Sequence, residues 1–328
     1  MAESGWDWGD GDGSTDKLSG ADGEDDKGCD VSDGEGAISL VRIISGLVEA
    51  SRAVRYKYRH PRLSVVLTRI DEGANTDVDR LLEKLRNMGG HDVVINIHCL
   101  SPTLLIDTSV LIALASDIAN SFVQIQPWHR GDIRAQIEEE VSGKSFIGLN
   151  VSPVLRSRAL VCTWDAAQHF RQIVSLIGSK TEVLRASIIL GIEDEEAKAS
   201  GADLLHRLQR LSIHKLPLDL KLPIRVLDHI KLDVQEAVNN GRLPRAALAI
   251  DKDLFSLPAN RSTFLYGWLS CSTVVTSNGA LTTRLERLME QKRETDDETG
   301  PSVFVFRFNR ALTTKGRRSQ GIVGADGD

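Results

Sequence analysis

The sequence predicts an α/β fold built on parallel strands, and three observations predict it. Residues 63–97 read as strand, helix and strand with short connections, the pattern of a parallel layer. An apolar run, Leu104-Leu105-Ile106, passes straight into Asp107 and then into the helical spacing of Val110, Leu111, Leu114 and Ile118. The same kind of junction recurs where Leu160-Val161-Cys162 leads through Thr163-Trp164-Asp165 into the stripe Ala166, Phe170, Val174 and Ile177.

Taken in order, residues 1–36 are rich in Gly, Asp and Ser and predict a disordered acidic tail, because they hold too little apolar surface to offset the entropy of ordering. Trp6 and Trp8 sit in it as isolated aromatics. Residues 37–100 form an α/β N-terminal region that opens with a helix carrying Leu40, Ile43, Ile44, Leu47 and Val48. His60-Pro61 ends that helix. A strand over 63–67 follows, then a helix capped by Asn75 or Thr76 and closed by Gly89-Gly90, then a strand over 93–97.

Residues 101–314 carry the larger domain. Beyond the two junctions already named, residues 132–141 read as a short helix whose Glu138-Glu139-Glu140 faces solvent, and 188–190 as a strand. The four acids 193–196 precede a helix with Ala202, Leu205 and Leu208, and acids are favoured near a helix N-terminus. A helix is expected around 226–238, and a short apolar run, 246–250, precedes Asp251 and Asp253. Residues 272–276 read as a central strand, 281–288 as a helix and 303–306 as a last strand. Residues 315–328 form a basic-starting, flexible end.

Charge bears on partners. The first 35 residues hold twelve acids against Lys17 and Lys27 and so carry −10, while the whole chain carries −6, which leaves +4 on the remainder. A weakly basic folded part permits a polyanionic partner without demanding one. Cys29, Cys99, Cys162 and Cys271 are too scattered for a zinc site or a small disulfide framework and read as free thiols. No run approaches the roughly 18 apolar residues of a membrane span, and the acidic start is unlike a signal peptide, so cytoplasm or nucleus is expected.

Among chemistry-bearing residues, Asp107 stands out, because the carboxyl ends of parallel strands border the ligand crevice of open α/β sheets. The same residue type is also a common helix N-cap, so both readings stand at this point. Ser109 and His169 lack the glycine pattern of a nucleophile elbow, and no glycine-rich phosphate loop is present, so a nucleotide cofactor is not expected. His98-Cys99 reads as core packing.

The run Leu105-Ile106-Asp107-Thr108-Ser109-Val110-Leu111-Ile112 is similar to the opening of PIN domains, and Val274-Val275-Thr276-Ser277-Asn278 is similar to their late strand. More closely, the chain resembles a eukaryotic family, known as a domain of unknown function, that has a C-terminal PIN-like domain. Residues 104–114 with Ser116, the stretch 274–279, and Ser302-Val303-Phe304-Val305-Phe306 followed by Arg310-Ala311-Leu312-Thr313 carry this resemblance, which spans roughly 60–315. It implies a three-layer α/β/α sandwich with a mainly parallel sheet.

A PIN nuclease holds Mg²⁺ or Mn²⁺ on three or four clustered carboxylates, since a hard divalent cation prefers anionic oxygen and serves to activate water and neutralise the leaving phosphate. The resemblance assigns Asp107 as one ligand, Asp165 as the second acid and Asp253 as a substitute third. It places Asn278 where the family carries a catalytic Asp, there to orient water or a phosphate oxygen. It also expects an acid near 266–270, where this chain has Tyr266-Gly267-Trp268-Leu269-Ser270. The expectation is a degenerate PIN-like module with weak Mg²⁺ or Mn²⁺ affinity that binds RNA or a protein partner, with no membrane association. The alternative is a Mg²⁺- or Mn²⁺-dependent ribonuclease.

Overall fold

The structure, a computed structural model, describes residues 32–54, 63–67, 70, 76–90, 93, 95–192, 199–228, 232–295 and 298–315. The tail before residue 32, the acid run 193–196 and the basic Arg317 and Arg318 lie outside them. Along the chain come α1 (Ser32–Ala53), β1 (Leu63–Leu67), α2 (Thr76–Arg86), β2 (Ile95–Cys99), β3 (Thr103–Ile106), α3 (Thr108–Ala115), α4 (Asp117–Asn120), α5 (Gly131–Val141) and α6 (Ser152–Leu155). They continue as β4 (Ala159–Thr163), α7 (Trp164–Ile177), α8 (Lys180–Leu190), α9 (Gly201–Arg210), β5 (Arg225–Leu227) and α10 (Val234–Asn239). The last are α11 (Ala246–Asp253), α12 (Pro258–Leu269), β6 (Thr273–Thr276), α13 (Gly279–Lys292) and β7 (Val303–Val305). Among the described residues, no helix is long and apolar enough to cross a membrane.

The fold is the expected α/β sandwich. β3 to β7 form one five-stranded sheet in the order β5-β4-β3-β6-β7, and every neighbouring pair runs parallel. Side chains alternate across a strand, so the sheet's residues sort by face. Leu104, Ile106, Leu160, Cys162 and Val275 join one core, with α3, α7, α8 and α9 supplying Leu111, Phe170, Ile189 and Leu208. Leu105, Val161 and Val274 join the other, against Ala237 of α10, Ile250 of α11, Phe264 of α12 and Leu285 of α13. Both faces are therefore covered by helices, which is why the strands read as continuous apolar runs. β1 and β2 pair in parallel as a separate two-stranded sheet with its own small core of Ile44, Val48, Leu82, Leu85 and Ile95.

Helix α1 begins at Ser32, within the stretch to residue 36 read as a tail. Three local expectations are corrected. Residues 188–190 are the end of α8, not a strand: Ser179 and Glu182 form a reciprocal capping box, and Gly191 closes the helix at φ +64°. The helix expected around 226–238 divides into the edge strand β5 and the short α10. The acids of α5 are not merely solvated, since Arg310, fully buried, reaches Glu139 at 2.9 Å and Glu140 at 2.8 Å. That pair ties the C-terminal segment to α5, and Ser116 Oγ donates to the carbonyl of Ala311 at 2.6 Å.

One glycine is required by packing. A Cβ on Gly267 would lie 2.4 Å from Val274 Cγ2, so the bare backbone is what lets α12 lie close against β6.

Candidate functional site

Sheet topology fixes where a site can form. From β3 the chain adds β4 and β5 on one side, then returns to place β6 and β7 on the other, so strand order reverses between β3 and β6. At such a switch point the helices that follow adjacent strands leave in opposite directions and open a crevice at the strands' carboxyl ends. A cleft of about 550 Å³ lies there. Its lining includes Asp107, Thr108 and Ser109 after β3, Trp164, Asp165, Gln168 and His169 on α7, Ser256 to Asn260 at the start of α12, and Asn278 after β6.

Asp107 is 2% exposed, borders the cleft and caps a helix. It is the N-cap of α3, its carboxylate accepting from the Ser109 N–H. Oδ2 also accepts from Ser109 Oγ at 2.7 Å and from Thr276 Oγ1 at 2.8 Å, so hydroxyls from both sides of the switch point hold it. Ser109 Oγ in turn accepts from the Ser277 N–H at 2.9 Å, and Thr276 Oγ1 from the Asn278 N–H at 3.0 Å. This lattice stitches the end of β3 to the end of β6. Oδ1, by contrast, is shielded from solvent and has no hydrogen-bond partner among the described residues. An unpaired buried carboxylate oxygen is costly, and donors or a cation that reached it would relieve that cost.

Asp165 sits in the first turn of α7, behind the N-cap Thr163. It lines the same cleft as Asp107, partly exposed, as the two strand-to-helix junctions predict for neighbouring parallel strands. Asn278 lines the cleft too, but its Oδ1 accepts from the Leu281 N–H at 3.1 Å and caps α13. That leaves its Nδ2 as a donor to a ligand. Asp253 is placed elsewhere: at the end of α11 its carboxylate pairs with Arg284 at 2.6 Å, and it is not among the cleft-lining residues. Asp251 is likewise engaged, with Arg261 at 2.6 Å. Among the described residues no group of three or more His, Cys, Asp or Glu is arranged to hold a metal ion.

Position 266–270, where an acid was expected, is the end of α12. Gly267 and Trp268 there line a different concavity, beside Arg242 and Cys271. Sequence reasoning also missed Thr276 as a tether of Asp107 and the whole α12 wall. The hydroxyls Ser262 and Thr263 of α12 meet Thr163 Oγ1 at 2.9 and 3.4 Å, fastening that wall to the end of β4. Helix α12 starts at the cleft with no side-chain cap, so the N–H groups of Ala259 and Asn260 have no acceptor among the described residues.

The electrostatics are mixed. Four helices, α3, α7, α12 and α13, present their N-termini to this edge, and each end carries partial positive charge that favours an acid beside it. Two carboxylates answer that field, and no Lys or Arg is among the described lining residues. The cleft therefore offers acceptors at Asp107 and Asp165 and donors at α12 and Asn278, between walls that include Ile112, Trp164, Ile173 and Leu257. Comparison of the chain with protein-family models, with curated proteins and with solved structures finds no match in any of the three.

Proposed function

We propose that this chain is a PIN-like module with an incomplete acidic cluster, which works in the cytoplasm or nucleus by binding RNA or a protein partner in the switch-point cleft rather than by hydrolysis. The observation that carries the reading is the carboxylate count: Asp107 and Asp165 line the cleft, Asn278 spends its oxygen on a helix cap, and Asp253 is paired with Arg284. Two carboxylates are fewer than the three or four on which a PIN nuclease holds its metal, so a metal would be held weakly here.

A second reading, a Mg²⁺- or Mn²⁺-dependent ribonuclease, is favoured by one feature, the unpartnered Oδ1 of Asp107. Mg²⁺ is commonly held by one or two carboxylates together with waters and substrate phosphates, so Asp107 and Asp165 fit a weak site of that kind. Bound there, the ion would supply charge neutralisation at a phosphate and a more acidic water. On the binding-module reading, about 1 mM Mg²⁺ or Mn²⁺ leaves the melting temperature of the protein unchanged within error, because stabilisation by a ligand follows RT ln(1 + [L]/Kd). A rise of several degrees that disappears in Asp107→Asn would support the nuclease instead.

A further inference from the structure

We infer that the switch-point cleft receives an arginine side chain carried on an extended segment of a protein partner. The inference rests on the binding reading above and names its ligand.

Two requirements of the cleft have to be met by one group. Asp107 is almost wholly buried, its Oδ2 is saturated by Ser109 and Thr276, and its Oδ1 lacks a donor among the described residues. Asp165 lines the same cleft with no hydrogen bond or ion pair to its carboxylate among the described residues. The ligand must therefore bring N–H donors, preferably cationic. At the same time the uncapped start of α12 offers the N–H groups of Ala259 and Asn260, and Asn278 offers Nδ2. The ligand must also bring acceptors.

An RNA strand answers the second requirement with its phosphates and meets the first with repulsion, because no described Lys or Arg lines the cleft to offset the two acids. An arginine in a peptide answers both. Its planar guanidinium carries five N–H donors in a fork that can divide between Asp107 and Asp165, and the flanking peptide carbonyls accept from α12. Trp164, which is 36% exposed at the cleft, supplies a face on which a guanidinium stacks favourably. Lysine would present one compact charge with no plane to stack. The volume, about 550 Å³, suits one side chain with its adjoining backbone. Because Oδ1 is shielded in the free protein, the guanidinium enters with a shift of the side chains around it.

The test uses the full chain and two small probes, N-acetyl-arginine amide and N-acetyl-citrulline amide, which differ in charge but barely in shape. Each is titrated into isotopically labelled protein, and amide shifts are followed by NMR. The arginine compound is expected to shift resonances of cleft residues such as Ser109, Asp165 and Asn260, with the citrulline compound binding at least about tenfold more weakly. Asp165→Asn, on a partly exposed side chain, should weaken the arginine compound about fivefold or more while leaving the citrulline compound unmoved. Asp107→Asn should do the same, and Asp165→Asn keeps the test valid if that buried variant fails to fold. Equal binding of the two compounds, shifts that map outside the cleft, or indifference to Asp165→Asn would overturn the inference. Those outcomes are separate from the failure of the binding reading, which is read from Mn²⁺-dependent RNA cleavage in the same preparation.

Discussion

Single residues bear the sharpest predictions. Thr276 matters for what it gives Asp107: Thr276→Val removes a hydroxyl donor from a buried carboxylate, and the expected cost is about 1–3 kcal/mol in a denaturant melt. Gly267→Ala pushes a methyl group into Val274 Cγ2 and should cost about 1–3 kcal/mol through overpacking, without touching the cleft. Cys162 is buried, and burial pushes its thiol up to about 12 despite the Arg171 charge. It should therefore ignore a thiol reagent in the native protein, whereas the exposed Cys271 reacts promptly. Reaction of both at one rate would contradict the packing described.

Asp117 adds a pH prediction. Burial by itself would raise its carboxyl, but hydrogen bonds from Ser179, Thr181 and Arg185, with the Arg185 charge, outweigh that and hold it below its ordinary 3.8. A depressed folded value means the ionised form stabilises the fold at neutral pH, and the contribution is lost as pH falls through that folded value. Wild type should thus exceed Asp117→Asn in stability at neutral pH, and the gap should narrow as pH is taken from about 5 to about 2. A gap that widened on acidification would show the sign to be wrong.

Among the elements, those that define the site were the most legible. The runs into Asp107 and Asp165, beyond their first residues, and the strand ending at Thr276 are buried on both faces, so their apolar residues are contiguous and their junctions abrupt. Other elements gave weaker signals for identifiable reasons. Ile188-Ile189-Leu190 is a buried helix end, and periodicity cannot tell three apolar residues in a helix from three in a strand. β5 has three residues at the sheet edge, starting with the exposed Arg225. α12 hides its core role behind Ser262 and Thr263, polar in sequence yet buried because Thr163 satisfies them. The Arg310 clamp joins residues about 170 positions apart, which no local pattern reveals. Leaving Glu139 and Glu140 without it should be expensive: Arg310→Met is expected to cost about 3–5 kcal/mol, as for one partner removed from a buried pair.

At the scale of the whole molecule, the third acid is what the resemblance could suggest and local pattern could not test. Asp253 follows an apolar run, as Asp107 does, yet α11 is a helix, and Arg284 of the neighbouring α13 takes its carboxylate. Strand order, too, lay beyond the sequence, and it is the reversal between β3 and β6 that sets Asp107, Asp165 and Asn278 around one cleft. The central claim, binding without hydrolysis, is tested most directly by incubating wild type and Asp107→Asn with labelled single-stranded RNA and Mn²⁺ at fixed salt and measuring cleavage alongside retention. The account predicts no Mn²⁺-dependent cleavage by either protein above the buffer control. Robust wild-type cleavage that is abolished by Asp107→Asn, with the variant still folded, would contradict it.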